Sequence, residues 1–181
     1  MYKSYYYLNR LTLELNAVLS GEKIVSIFSQ DKDRLIIQLD GSEELFIEFS
    51  VNHSEPFINV RRKYSRAKKN TIEFFNELIS KTIKEVLIAS DDRIIKITTD
   101  NGDLIFAIRG KYTNLFFNST NLLPFKNEDE ENLMKFKQEF ENKFFHNSLN
   151  IPESDFIEGK SIEEIRNRYR FIGREIENEV N

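Results

Sequence analysis

The sequence predicts an α+β domain built from two copies of one unit, in which a helix is followed by an antiparallel meander. Leucines recur at helical spacing near the N-terminus, and strand-like apolar runs follow in two groups of three. Each group contains a hairpin-type dipeptide, Asp40-Gly41 or Asn101-Gly102. A lone copy would expose one apolar face and a long sheet edge, so we expect two related sheets packed together with the two helices at their ends.

The first copy opens with a predicted helix. Leu8, Leu11, Leu15 and Val18 recur at helical spacing, and Gly21 is a typical helix stop. Three predicted strands follow, over residues 24–28, 35–39 and 45–51. The second copy repeats this order, with a predicted helix over 71–79 and predicted strands over 83–89, 94–98 and 104–108.

A shift of 59 positions superimposes the two copies, which favours duplication over a chance match. The shift places Asp33-Arg34 on Asp92-Arg93. It also places Ile24, Ile36, Leu45, Phe57 and Asn59 on Ile83, Ile95, Leu104, Phe116 and Asn118.

Charge divides the chain of 181 residues into two parts. Residues 1–126 hold 18 basic and 16 acidic side chains, whereas residues 127–181 hold 8 and 14. An acidic run, residues 128–131, follows Pro124 at the change. We therefore predict one domain over 1–126 and a helical segment over 127–181. Within 127–150, Leu133, Phe136, Phe140 and Phe144 fall on one helical face, and Ser161 with Glu164 forms a capping-box pattern.

Several classes of site have no support in the sequence. The chain has no cysteine, and His53 and His146 lack partners at metal-ligand spacing, so neither a metal site nor a cofactor is expected. Phosphate-binding loops and nucleophile motifs are missing, which argues against an enzyme. No apolar run is long enough for a membrane span, and none of signal-peptide type follows Met1, so we expect a cytoplasmic protein.

Short motifs over about residues 5–120 occur in an order that is more specific than any one of them. They are Glu14-Leu15-Asn16, Lys23-Ile24, Ser50-Val51-Asn52, Pro56-Phe57-Ile58, Asp92-Arg93-Ile94-Ile95, and Arg109-Gly110-Lys111-Tyr112-Thr113-Asn114-Leu115. This ordered set resembles the NFACT N-terminal domain, found in RqcH, NEMF and proteins also called fibronectin-binding protein A. Residues 171–176 resemble the turn of the helix-hairpin-helix that follows this domain in the family.

The resemblance implies a fold similar to the N-terminal domain of formamidopyrimidine-DNA glycosylases (MutM), a two-sheet pseudobarrel. It also implies a role in ribosome-associated quality control. Family members bind a stalled large ribosomal subunit and recruit tRNA, so that the nascent chain receives an untemplated C-terminal tail. The expected partners are therefore tRNA and the large ribosomal subunit.

The strongest electrostatic feature is a run of six positive charges without an acid, residues 61–69. It comprises Arg61, Arg62, Lys63, Tyr64, Ser65, Arg66, Ala67, Lys68 and Lys69. Such clusters favour phosphate backbones, and Tyr64 is available to stack on a base. The alternative is a solvated linker between the two copies.

Two further sets are candidate RNA contacts, chiefly through the resemblance. Asp92-Arg93 matches the Asp-Arg motif that the family uses for tRNA recruitment, and a guanidinium can hold a phosphate or a base edge with two hydrogen bonds. The alternative for this pair is a structural turn, which is our expectation for Asp33-Arg34. The second set is Arg109, Lys111 and Asn114, although an asparagine there more often stabilises a turn.

Three other functions stay open. The chain resembles proteins labelled as fibronectin-binding, so a fibronectin-binding adhesin is one alternative. A DNA-binding relative of the glycosylases is another, but those enzymes need an N-terminal proline nucleophile beside a glutamate, and this chain has Tyr2 and Lys3. The third is a protein-interaction domain whose basic run is incidental.

Overall fold

The computed structural model describes residues 3–41, 44–67 and 69–148. Two antiparallel sheets make up most of this part of the chain, together with two α-helices. The helices are α1 (Tyr5–Leu19) and α2 (Glu130–Glu141). The strands are β1 (Lys23–Asp31), β2 (Arg34–Asp40), β3 (Leu45–Ser50), β4 (Phe57–Arg61), β5 (Ile72–Glu73), β6 (Ile83–Ala89), β7 (Ile94–Thr99), β8 (Gly102–Ala107), β9 (Asn114–Asn118), β10 (Leu122–Pro124) and β11 (Phe145–His146).

The sheets pack face to face, as the sequence predicts. The first sheet has the order β4-β3-β2-β1-β5, and the second has the order β10-β9-β8-β7-β6-β11. Alternate residues of each sheet point into one shared core. Phe49 of β3 meets Phe106 of β8 there, with ring centroids 5.7 Å apart.

The predicted N-terminal helix is confirmed as α1, which buries Leu8, Leu15 and Leu19 in the shared core. Gly21 has a φ of 91°, a conformation that side chains disfavour, and its N–H donates to Ile83 O at 2.8 Å. The helix end is therefore tied to the first strand of the second sheet. Val18 instead lies on the exposed side of the helix.

The four-strand meander is duplicated, and both copies carry a β-bulge at the same place, between Ile24 and Ser26 and between Ile83 and Glu85. However, the offset of 59 holds only for the first strand of each copy. Ile27 pairs with Ile37, whereas Val86 pairs with Ile97. The connection between β6 and β7 is therefore one residue longer than the connection between β1 and β2.

This longer turn puts the two Asp-Arg pairs out of register. Val51 N–H donates to Asp33 O at 2.8 Å, and at the matching place Ile108 N–H donates to Arg93 O at 3.0 Å. Asp33 therefore corresponds to Arg93, not to Asp92. The expected match of Ile36 with Ile95 is wrong for the same reason, since Ile36 faces outward and Ile95 faces the shared core.

The second predicted helix, over 71–79, is wrong. Ile72–Glu73 instead pairs with β1 as strand β5, and Asn76–Leu78 forms a single 3-10 turn. The neighbouring rings of Phe74 and Phe75 pack on different partners, Phe125 and Phe117. Pairing with the open edge of β1 and burial of both rings outweigh the local helical pattern.

The predicted helix over 127–150 is shorter than expected. Asp129 accepts a hydrogen bond from Asn132 N–H and caps α2, which ends at Glu141. Phe136 and Phe140 pack on the outer face of the second sheet, as the spacing predicts. Phe144 lies beyond the helix and is 75% exposed, so its assignment to the core face is wrong.

The described residues do not test every expectation about the C-terminal part. The capping box at Ser161 and the helix-hairpin-helix turn over 171–176 lie outside them. The division at residue 126 stays a prediction, as does the likeness to the MutM pseudobarrel. In the part that the structure describes, no helix is both long and apolar enough to cross a membrane.

Candidate nucleic-acid interface

The basic run starts on the last residue of β4 and crosses the outer face of the first sheet. Tyr64 packs there on Phe28 and Phe46, with ring centroids 5.8 and 5.7 Å away, and its hydroxyl donates to Gln30 Oε1 at 3.2 Å. Burial raises the pKa of Tyr64. The ring is therefore held against the protein on this side, and its stacking on a base stays a prediction.

Two arginines of the first sheet face one buried carboxylate, that of Glu48. Glu48 is 1% exposed and accepts a hydrogen bond from Arg34 Nη1 at 2.9 Å. Arg61 Nη2 lies 2.5 Å from its other oxygen. Removing one partner of such a buried group is costly because the remaining charge is left poorly compensated. Arg61 therefore has a structural partner, as does Arg34, for which we expected a structural role.

The rest of the basic run divides into paired and unpaired cations. Arg66 lies 3.3 Å from Glu73 Oε1, with its guanidinium 4.4 Å from the centre of the Phe28 ring. Lys63 and Lys69 are exposed and make no ion pair with the described residues. Arg62 is also exposed, and Lys68 lies outside the described residues. Fewer cations are thus available for phosphate than the sequence indicates.

Asp92 is buried in the turn between β6 and β7, where it holds α2 against the second sheet. Lys143, just after α2, places its Nζ 3.3 Å from Asp92 Oδ2 and 3.0 Å from Asp91 Oδ1. The other Asp92 oxygen accepts the backbone N–H of Arg93 at 2.8 Å. These contacts give Asp92 a structural role and do not include the Arg93 guanidinium.

Arg93 differs from the paired arginines around it. Its guanidinium forms no ion pair with a described carboxylate, and its buried Nε has no hydrogen-bond partner. The Arg93 side chain as a whole is only partly buried, and because no described carboxylate neutralises its guanidinium, that charge is available to an anionic ligand. Arg93 is therefore the predicted contact whose geometry fits a ligand best.

The second candidate set, Arg109, Lys111 and Asn114, also contains one paired and one unpaired cation. Arg109 lies 2.9 Å from Glu139 Oε2 and 5.0 Å from the Phe136 ring centre, so it joins the second sheet to α2. Lys111 is exposed and lies 4.8 Å from the Tyr112 ring centre. The backbone hydrogen bond from Ile108 N–H to Arg93 O places the end of β8 beside the turn that holds Asp92 and Arg93.

Asn114 is fully buried, and its hydrogen bonds are to the protein. Its Oδ1 accepts the N–H of Leu115 and of Lys126, both at 2.9 Å. Its Nδ2 donates to Lys126 O at 2.9 Å and to Glu128 Oε1 at 3.0 Å. The side chain thus fixes the backbone at Lys126, which matches the structural alternative for this residue.

Sequence reasoning missed Lys126, which connects the two sheets. Its backbone is held by Asn114 of β9, and its Nζ lies 2.5 Å from Asp33 Oδ1 and donates to Val51 O at 3.3 Å. The hydrogen bond from Lys126 lowers the pKa of the Asp33 carboxyl. No local pattern could reveal this pair, because its members are far apart in the chain.

A groove of about 590 Å³ lies beside this ion pair. Ile72, Phe74 and Phe125 supply its apolar wall, and Lys32, Asn70 and Asn127 are among its polar lining residues. Three distant chain segments build it: the turn after β1, the segment around β5, and the residues after β10. The groove is therefore a product of the tertiary fold.

The two histidines do not form a metal site with the described residues. His146 Nε2 lies 3.1 Å from the hydroxyl of buried Tyr5, where burial lowers the pKa of the imidazole and raises that of the phenol. Both groups are held neutral, so the contact links α1 to β11. No group of three histidine, aspartate or glutamate side chains in the described ranges has a metal-binding arrangement.

Comparison with solved structures assigns the fold. The chain is similar to the N-terminal domain of fibronectin-binding protein PavA from Streptococcus pneumoniae, with a TM-score of 0.67 and 15% identity over 98% of this chain and 78% of that one. It is also similar to the N-terminal part of the fibronectin/fibrinogen-binding protein of Streptococcus suis, with a TM-score of 0.62 and 18% identity over 70% of this chain.

A third similar structure is the fibrinogen-binding protein of Staphylococcus aureus, with a TM-score of 0.60 and 17% identity over 72% of this chain. The chain covers 55% of the Streptococcus suis chain and 53% of the Staphylococcus aureus chain. No family model and no curated protein matches this sequence. At these identities the likeness establishes the fold, which is that of the N-terminal domains of fibronectin- and fibrinogen-binding proteins.

Proposed function

We propose that this chain is the N-terminal module of an NFACT-type protein and acts by binding RNA, without catalysis. Its partners are tRNA and the stalled large ribosomal subunit in the cytoplasm, where it supports C-terminal tailing of nascent chains. The observation that carries the proposal is Arg93. Unlike Arg34, Arg61, Arg66 and Arg109, it has no described carboxylate partner, and its side chain is partly exposed.

Two further observations support this proposal. The ordered motifs that resemble NFACT domains include Asp92-Arg93, and Arg93 is the member of that motif available to a ligand. Lys111 is exposed on the short turn between β8 and β9, and can add a cation for phosphate. The similar structures belong to proteins named for fibronectin or fibrinogen, and the NFACT family carries the same older label.

Co-sedimentation tests the ribosomal role. The 181-residue chain is mixed with purified large ribosomal subunits that carry peptidyl-tRNA, and with empty subunits, and each mixture is centrifuged through sucrose. We expect the chain to pellet with the loaded subunits, and Arg93→Ala to reduce the pelleted fraction. A chain that stays in the supernatant with both kinds of subunit contradicts the proposal.

Binding of fibronectin or fibrinogen is the second candidate. The names of the three similar proteins favour it more directly than they favour RNA. Immobilised fibronectin and fibrinogen, with albumin as the control surface, test this candidate. Saturable binding to a matrix protein together with no binding to ribosomal subunits would favour it over RNA.

A further inference from the structure

We propose that the groove beside Asp33 and Lys126 binds one unstacked nucleobase of single-stranded RNA. This inference rests on the RNA-binding function proposed above and gives that function a second contact site. The site lies apart from the Asp-Arg motif, and only its rim reaches the basic run, at Lys69. It combines an apolar wall, free amide groups and nearby cations, which together match the flat face, the polar edge and the phosphate of a nucleotide.

The apolar wall suits the face of a base. Phe74 and Phe125 meet edge to face, with centroids 4.8 Å apart and ring planes at 68°. Ile72 is 65% exposed on the same wall. An aliphatic side chain this exposed gains from contact with a flat apolar ligand, and aromatic side chains bind the faces of all four bases.

Two amide side chains can read the polar edge of a base. Asn70 and Asn127 line the groove, and neither side chain makes a hydrogen bond to a described residue. Each amide offers two donors and an acceptor oxygen, the groups that pair with base edges. Gln30, in contrast, is engaged by Tyr64 and Thr71. The polar capacity left in the groove therefore lies with the two asparagines.

The charge of the groove suits a nucleotide with its phosphate outside. Asp33 and Lys126 neutralise each other at 2.5 Å. Lys32 lines the groove, and Lys69 precedes Asn70 in the chain. Both lysines are exposed and make no ion pair with described residues. They favour a phosphate near the rim. Asp31 is the remaining acid, and its carboxylate faces Arg34 at 3.8 Å.

An abasic RNA isolates the contribution of the bases from that of the phosphates. The full chain is titrated into a fluorescein-labelled RNA of about 12 nucleotides and into an RNA of equal length without bases, and anisotropy is measured. Both ligands carry the same backbone charge. We expect the abasic RNA to bind about 5- to 150-fold more weakly, since stacking of a single base is of this order.

Three variants locate the effect. Phe74→Leu removes an aromatic wall, and Asn127→Ala removes an amide from the rim. Phe144→Leu is the matched control, because Phe144 is exposed beside the second sheet. We expect the first two variants to lose most of the preference for intact RNA and the control to keep it. If Phe74→Leu does not fold, Asn127→Ala alone decides the result.

The outcomes separate this inference from the function on which it rests. Equal affinity for intact and abasic RNA would overturn the groove while leaving RNA binding in place. A preference for intact RNA that survives both groove variants would overturn it as well. If no RNA binds, the proposed function fails, and uridine and adenosine are titrated while the Asn70 and Asn127 side-chain amides are followed by NMR. Shifts there would support the groove, and unchanged resonances would overturn it.

Discussion

Lys126 Nζ lies 2.5 Å from Asp33 Oδ1, and this ion pair joins the first sheet to the chain segment that follows the second. The Asn114 side chain in β9 makes hydrogen bonds to the Lys126 backbone, so the second sheet fixes the position from which the lysine side chain reaches Asp33. The same side chain donates to Val51 O. Lys126 thus links the two sheets at the edge of the groove.

This ion pair makes the stability of the fold depend on pH. Lys126 lowers the folded-state pKa of Asp33, so the pair stabilises the fold above the unfolded pKa of aspartate, about 3.9, and the contribution is lost as pH falls through the lower folded value. Asp33→Asn is expected to cost about 0.5–1 kcal/mol at neutral pH. Urea unfolding at pH 7 and near pH 3 measures this, and the difference between parent and variant should shrink at low pH. A constant difference would show that the charge of Asp33 is not responsible.

Arg93→Ala is expected to weaken tRNA binding about 5- to 150-fold, because a forked, charge-assisted donor is lost. Arg10→Ala is the control, since Arg10 is exposed on α1 and, of the described residues, forms an ion pair with Glu14 alone, at 3.8 Å. It should stay within about twofold of the parent. Affinities are compared at one salt concentration, and melting temperatures confirm folding. Equal losses in both variants would indicate general electrostatics rather than a site.

Arg34 is unsuitable as a silent control, because it faces the buried Glu48. Arg34→Ala should lower the free energy of unfolding by about 1–3 kcal/mol, since Glu48 keeps only Arg61. In the Glu48→Gln background the same change should cost less, because the buried charge is gone. Chemical denaturation of the four proteins measures the coupling. Additive effects would mean that Arg34 and Glu48 do not stabilise each other.

Salt dependence should be moderate rather than steep. The basic run suggests four to six phosphate contacts, but Arg61 and Arg66 already have carboxylate partners. This leaves at most four contacts from the run, which on single-stranded RNA give a log–log slope no steeper than roughly −2.8. Titrations between low and moderate salt measure this slope. A value beyond about −3 would mean that RNA displaces the internal ion pairs.

The chain is expected to show no glycosylase chemistry. Positions 2 and 3 are Tyr2 and Lys3, so the proline nucleophile and its neighbouring glutamate are missing. Incubation with abasic and oxidised DNA should leave the strands uncut, and borohydride should trap no covalent adduct. A trapped adduct would contradict the non-catalytic proposal.

Local patterns predicted the first three strands of each copy, because a hydrophobic period of two and a turn dipeptide both depend on neighbouring residues. The fourth strand of each copy, β4 and β9, was not predicted. Strand β6 begins and ends at the predicted residues, and β2 is one residue longer than predicted at each end. The second helix failed because Ile72 and Glu73 pair with β1, a strand some 40 positions earlier. The core face assigned to Phe144 failed because α2 ends before it.

The candidate site shows the same difference between features that depend on neighbouring residues and features that depend on the tertiary structure. By itself, the sequence determined the duplicated meander, the opening helix and the order of the family-like motifs, since each depends on residues close together in the chain. Only the tertiary structure decided which cations are free. Glu48, Glu73 and Glu139 pair with Arg61, Arg66 and Arg109, while Arg93 has no such partner among the described residues. The physical reason is that an ion pair depends on distance in space, which linear spacing does not encode for residues on different strands and helices.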